Sequence, residues 1–380
     1  MADLSTTFTG IHFENPFMLA SAPPTESDAN IMRAFDAGWG GVVTKTIGMH
    51  PVVNVKGPKT KFVRTNADGR ISMAKRPDST LMASWNWELI SDKPIDWWIG
   101  RLKKIKQAFP KSVLIASIMA GSGNDKELNN WQALSKACQD EGVDGLELNF
   151  SCPHMDRVDM GSNVGKDKVL CSVVTQAVKE VARVPVWVKL TPATSNIVEE
   201  ASACFLGGAD AVVSSNTWPS LPPIDPATLD FEMNVEGYVS PGGLGGPAIL
   251  PLSMAKMAQM TKAFPDGQFS GIGGISTFDH ALNYFLLGCG TVQVCTAAML
   301  DHAIGPNVIK QLTSGMASFL ERNAERGWKS LADFRGLRRD FIVPHSQIKR
   351  PEQFDYRGGY EAEEQEGYAA PATVSSPLSS

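Results

Sequence analysis

The stretch Gly145–Ser151, GLELNFS, decides the fold. It is a short, largely apolar run, entered from the amphipathic stretch Asn129–Glu141 through Gly142 and followed by a second such stretch, Lys168–Ala182. Apolar strands alternating with helices describe a parallel sheet covered on its faces. The same unit recurs outward from here. Upstream lie Pro16–Ala22, Gly41–Thr46 and Val113–Met119; downstream lie Pro185–Thr191, Ala211–Thr217, Gln268–Gly274 and Thr291–Ala297. Further helices are predicted over Asp28–Ala37, Ser195–Leu206, Leu250–Ala263, Thr277–Leu287 and Asn307–Arg322. Ser195 and Ser276 serve as N-caps, and Gly38, Gly142, Gly207 and Gly288 as helix ends. Eight strand–helix units in one row predict a closed (β/α)8 TIM barrel, since an open doubly wound sheet needs only about five or six strands. Thr7–Asn15 reads as a small hairpin closing the barrel's lower end.

Two excursions interrupt the rhythm: Ile47–Ser112 after the second strand, rich in tryptophan, and Trp218–Gly246 after the sixth, rich in proline and glycine. Both leave from the carboxyl ends of strands, the face on which barrel enzymes build their sites. Residues 1–345 are read as the barrel and 346–380 as a C-terminal extension, whose last dozen residues, in Pro, Ala and Ser, are expected to be disordered. A net charge of −5 gives no electrostatic case for nucleic acid or an anionic membrane. No apolar run is long enough to span a bilayer and Met1–Gly10 lacks a signal-peptide pattern, so a cytoplasmic protein is expected. The six cysteines form no C-x-x-C pair, which argues against a disulfide framework or an iron–sulfur or zinc site within this chain.

Four constellations carry candidate chemistry. Cys152 follows the fourth strand in LNFSCPH, at the barrel mouth, where a thiol of ordinary pKa near 8.5 can donate a proton or, as thiolate, accept one. The competing reading is a buried structural cysteine. Asn149, a polar amide at the same strand end, favours the first. Lys45 and Lys189 each interrupt an apolar strand, and a buried ammonium needs an anion, either a bound one or a strand carboxylate such as Glu147. GIGGIS (271–276) and VCTA (294–297) end the seventh and eighth strands, where barrels commonly bind phosphate through glycine amides; the alternative is a tight turn. Ser215-Asn216-Thr217 and Asn86 offer paired donors and acceptors that suit a ring of alternating carbonyl and N–H groups, although either Asn alone could be a turn or capping residue. His154 lies close enough in sequence to influence Cys152 but reads as a loop residue.

The strings GWGGVVTKTIG (38–48), VLIASIM (113–119), LELNFSCP (146–153), VKLTP (188–192), GGAD (207–210), SNT (215–217), GIGGI (271–275) and VQVCTA (292–297) fall in order and register. Over Leu4 to Leu320 the chain resembles the FMN domain of the dihydropyrimidine dehydrogenases, including their bacterial stand-alone pyrimidine-reducing subunit, within the dihydroorotate dehydrogenase-like superfamily. The resemblance implies FMN as cofactor and hydride transfer between flavin N5 and pyrimidine C6, with Cys152 as general acid/base at C5. It implies substrate binding by Asn86, Asn149, Asn216 and Thr217. It implies flavin contacts from Ala22, Lys45, Thr46 and Lys189, and a phosphate cradle of Gly245, Gly246, Gly273, Gly274, Cys295 and Thr296. A homodimer or hetero-oligomer is expected, with an NAD(P)H, FAD or iron–sulfur electron-transfer partner, because no G-x-G-x-x-G motif opens a strand–helix unit.

The sequence departs from the family pattern in three places. No ferredoxin-like tail with clustered cysteines follows the barrel; Trp218-Pro219-Ser220-Leu221-Pro222-Pro223 replaces a small Gly/Ser-rich turn; and Met155-Asp156-Arg157 follows His154. The second and third keep open a different ligand. Alternatives are therefore a class 1 dihydroorotate dehydrogenase-like oxidation, or reduction of a non-pyrimidine cyclic amide or aromatic ring. A scaffolding or binding subunit of a flavoenzyme complex is the non-enzyme alternative, although a scaffold has no use for Cys152, two lysines and two asparagines together.

Overall fold

The computed structural model describes residues 2–76, 80–153, 155 and 157–349. The chain divides into two compact units, Met1–Ile342 and Val343–Ser380, the second represented by residues 343–349 with one short turn of helix, His345–Gln347. The expectation of disorder in the last dozen residues falls outside the described residues.

All eight predicted strands form, and they close into a parallel barrel in sequence order. In chain order they are Phe17–Leu19, Gly41–Val43, Val113–Ile118, Gly145–Phe150, Val186–Leu190, Ala211–Ser214, Phe269–Ile272 and Thr291–Val294, and the last pairs with the first. Alternate residues face opposite sides. On the fifth strand Val186, Val188 and Leu190 point outward into the helical layer, while Trp187 points into the barrel. The interior floor is Met18, Val43, Val113, Ile115, Trp187, Ala211 and Val213. The predicted hairpin is present as Thr6–Phe8 paired with Ile11–Phe13, and it plugs the lower end with Phe8 and Phe13. Phe8 meets Trp187 edge-on at 5.1 Å, and the Trp187 indole N–H donates to Thr9 Oγ1 at 2.9 Å.

The helices follow the predicted stretches, with instructive differences. Asp28–Ala37 and Leu250–Ala263 match end for end. The N-caps are not Ser195 and Ser276 but Asn196 and Thr277, whose Oγ1 accepts from His280 N. Asn196 gives no side-chain cap; its Nδ2 donates to Glu199 Oε1 at 2.8 Å. Within the first excursion the helix Ile95–Ala108 was not foreseen; it buries Trp98, Leu102 and Ile105. Among the described residues no helix is long and apolar enough to cross a membrane.

The two excursions are not independent loops. They combine into one five-stranded antiparallel sheet in the order Trp218–Ser220, Gly242–Gly245, Leu81–Asn86, Thr60–Thr65 and Ile71–Ala74. Strict alternation explains it. Ala83, Trp85 and Trp87 form a small core with Val63 and Met233 on one face, which sends Ser84 and Asn86 to the other. Asn86 is thus a strand residue, in register with Gly243 of the other excursion.

The aromatic plug generates a stability test. Trp187→Ala removes a fully buried indole and one hydrogen bond, and should cost about 3–5 kcal/mol. Chemical denaturation measures it, and an unchanged unfolding midpoint would contradict the plug.

Candidate active site

The barrel strands deliver polar residues to a cleft at their carboxyl ends. Every catalytic, substrate-binding and cofactor-binding residue that the resemblance implies lines it. From the first two strand ends come Ala22, Lys45 and Thr46; from the fourth, Asn149 and Cys152; from the fifth, Lys189. Asn216 and Thr217 follow the sixth strand, Gly273 and Gly274 the seventh, and Cys295 and Thr296 the eighth. The added sheet contributes Asn86, Gly245 and, directly after it, Gly246.

Asn149 organises the loop that holds the thiol. Its Oδ1 accepts from Ser151 N at 3.0 Å, Ser151 Oγ at 2.8 Å and Cys152 N at 3.1 Å. Its Nδ2 donates to Thr46 Oγ1 at 2.8 Å, and Thr46 is joined in turn to Ser117 and Ser21. Asn216 Nδ2 secures the same loop from the other side, at Ser151 O, 3.0 Å. Cys152 is buried to 6% exposure, with its carbonyl accepting from Ser162 N. The two asparagines therefore position the loop that carries Cys152, and both line the cleft.

Both lysines are buried, Lys45 to 7% and Lys189 to 3% exposure. Lys45 is paired with Glu88 at 3.1 Å, and Thr60 Oγ1 donates to the other oxygen of Glu88 at 3.2 Å. Lys189 Nζ stands 3.7 Å from Glu147 Oε1. The strand-carboxylate reading thus holds for Lys189 at ion-pair distance, and both ammonium groups still line the cleft. Glu88 and Gln293 are cleft residues that sequence reading missed. Gln293 carried the same signal as the lysines, a polar residue interrupting an apolar strand; Glu88 followed Asn86 by one alternation.

At the glycine end, Gly273 and Gly274 have φ of +126° and +79°. A Cβ on Gly274 would meet Leu250 Cβ at 2.6 Å, so these glycines let strand seven turn directly against the start of helix Leu250–Ala263. The short helix Thr296–Leu300 begins without a side-chain cap, which leaves its first amides to another partner. Thr296 Oγ1 is fixed by Ser84 Oγ at 2.8 Å. Two buried cations, an uncapped helix start and open glycine backbone fit a ring-bearing cofactor with an anionic tail.

Among the described residues, neither of the two local departures from the family pattern lines the cleft. Trp218 turns its indole N–H to Ser253 Oγ at 3.3 Å. Arg157 is bound to Asp159 and Glu127, which hold its guanidinium above the usual value, Asp159 first, and Met155 packs on the core. His154 and Asp156 lie outside the described residues.

A closed parallel barrel thus brings a thiol, amides and buried cations together in one cleft at its strand ends. Residues 90–318 match the family described as dihydroorotate dehydrogenase. The chain is 35% identical to the Arabidopsis thaliana chloroplastic dihydropyrimidine dehydrogenase (NADP(+)), over 91% of this chain and 79% of that one. It is 34% identical to the NAD-dependent dihydropyrimidine dehydrogenase subunit PreA of Escherichia coli K12, over 92% and 80%. Against the catalytic subunit of dihydroorotate dehydrogenase B (NAD(+)) of Thermoplasma acidophilum the figures are 30% identity over 89% and 99%. The chain belongs to the dihydroorotate dehydrogenase family, whose members are flavin oxidoreductases, and it acts on CH–CH bonds.

Burial pushes the Cys295 thiol up to about 11, against the pull of Lys189 and Lys45, so it stays protonated near neutrality. At pH 8 its alkylation by iodoacetamide should be at least about 100-fold slower than that of an ordinary thiol. Peptide mass spectrometry of the native protein checks this, and modification at the rate of free glutathione would refute it.

Proposed function

We propose that the chain is a cytoplasmic FMN-dependent oxidoreductase of the dihydropyrimidine dehydrogenase type, with Cys152 as the general acid/base. The observation that carries this reading is convergence: Cys152 shares one cleft with three asparagines, two buried lysines and the glycine turn. Lys45, Lys189, Ala22 and Thr46 would hold the flavin ring, and Gly245, Gly246, Gly273, Gly274, Cys295 and Thr296 its phosphate. Bound there, FMN supplies hydride exchange with ring carbon C6.

The protein's own contribution is proton exchange and orientation. In the reductive direction Cys152 gives its proton to C5 and is left as thiolate, which solvent protons restore; in the oxidative direction the thiolate takes that proton. Asn149 holds Cys152 by its backbone N–H, which fixes the main chain that carries the thiol in the cleft wall. Asn86, Asn216 and Thr217 would pair with the ring's alternating carbonyl and N–H groups. Pro153 lines the same cleft beside Cys152.

Glu88 places a carboxylate on the cleft wall and already engages Lys45. A neutral dihydropyrimidine suits such a wall better than the anion of dihydroorotate, which would meet a like charge. The similarity to the dihydroorotate dehydrogenase B subunit makes dihydroorotate the second substrate to try. Two of the relatives are named as subunits, which supports an electron-transfer partner carrying NAD(P)H, FAD or iron–sulfur chemistry and a hetero-oligomeric or dimeric assembly.

An anaerobic titration tests the substrate. Dihydrouracil or dihydrothymine should bleach the flavin spectrum while dihydroorotate leaves it yellow; the reverse pattern would transfer the assignment to dihydroorotate. Cys152→Ala should keep its flavin and lose about 10²–10⁴-fold in turnover. Unchanged steady-state turnover in that variant would remove Cys152 from the mechanism.

A further inference from the structure

Beneath the cleft lies a charged group that proton exchange does not use. Glu147 is fully buried on the inward face of the fourth barrel strand, in register with Trp187. Its Oε2 accepts a 2.7 Å hydrogen bond from Gln293 Nε2. Its Oε1 has no hydrogen-bond partner and stands 3.7 Å from the ammonium of Lys189. A buried carboxylate is costly without a cation, and Lys189 is the cation supplied. Yet 3.7 Å lies beyond hydrogen-bonding reach. Lys189 is held by charge while its donors stay available to the cleft it lines. Gln293 lines the cleft too, and its own Oε1 is equally without a partner.

We propose that Glu147, fixed by Gln293, is a positioning residue that acts through Lys189 to set how strongly the cleft favours reduced over oxidised flavin. The inference rests on the flavin reading above and adds to it a residue one step deeper than the cleft wall. Reduced flavin carries negative charge on its ring. Lys189 alone would stabilise that charge, and the carboxylate behind it offsets part of the effect. Glu147 thereby keeps the ammonium aimed into the cleft and lowers the flavin potential at the same time. Gln293, joined to the carboxylate and open to the cleft, fixes the distance at which this offset acts.

The test equilibrates flavin-loaded protein with a redox dye and reads the ratio of reduced to oxidised flavin in wild type, Glu147→Gln and Glu147→Asp. Glu147→Gln keeps the shape and removes the charge, so its ratio should rise about tenfold, or about 30 mV for a two-electron couple. Glu147→Asp keeps the charge and should stay closer to wild type. A loaded Glu147→Gln protein with the wild-type ratio overturns this inference and leaves the flavin reading standing. A wild-type protein that takes up no flavin overturns both. Should Glu147→Gln not fold, melting of the apoprotein decides. Lys189→Met strands the carboxylate and should melt lower than the double variant Lys189→Met/Glu147→Gln, in which neither charge remains. A double variant that melts no higher overturns the inference.

Discussion

The axis of a closed parallel barrel holds no bulk water, so each polar group turned inward needs a partner from another strand. In the lower half the requirement is light: Thr291 Oγ1 donates to Ser270 Oγ at 2.9 Å, and Met18, Ile115, Val213 and Trp187 meet the aromatic hairpin. Above that floor it governs everything. Glu147 of the fourth strand bonds Gln293 of the eighth and faces Lys189 of the fifth. Thr46, just past the second strand, joins Ser117 of the third and Asn149 of the fourth. These links cross the barrel, and they fix the floor on which a ligand would rest.

The loop with Cys152 depends on the same links at one remove. Its geometry is set by Asn149 Oδ1, and Asn149 is itself held by Thr46. The thiol's position is therefore tied to residues from several strands, which places it far more sharply than a surface loop would. Lys45, by contrast, is tied to the added sheet through Glu88 and Thr60. One side of the cleft belongs to the barrel, and the other to the excursions.

The barrel was legible because each strand is a short apolar run between helical stretches, and both faces of a parallel sheet are buried. The candidate site was legible where a polar residue broke such a run, as Lys45, Asn149 and Lys189 do, or where glycines clustered, as at Gly273. The added sheet was not legible as a sheet. Two of its partners, Leu81–Asn86 and Gly242–Gly245, are separated by about half the barrel in sequence. Pairing at that range leaves no local mark, although the alternation of Ala83, Trp85 and Trp87 hinted at a strand. Glu88 was hidden for the same reason, since its relation to Lys45 exists only after the excursion folds back. The caps at Asn196 and Thr277 moved by one residue from Ser195 and Ser276, because neighbouring side chains compete for the same backbone groups.

The sheet built from two excursions also bears on how such a cleft can be altered. Asn86 Nδ2 donates a hydrogen bond to Gly243 O at 3.2 Å, so a residue of the first excursion takes its place from the second. The strand Gly242–Gly245 has Trp218–Ser220 on one side and Leu81–Asn86 on the other, and so serves as the splice between the two. Exchange of a single loop with a relative would put a foreign edge against a native one and lose the register on both. The heritable unit of this wall is a pair of segments whose joined residues, Asn86 and Gly243, lie 157 positions apart, and a change of ligand must be carried by both together.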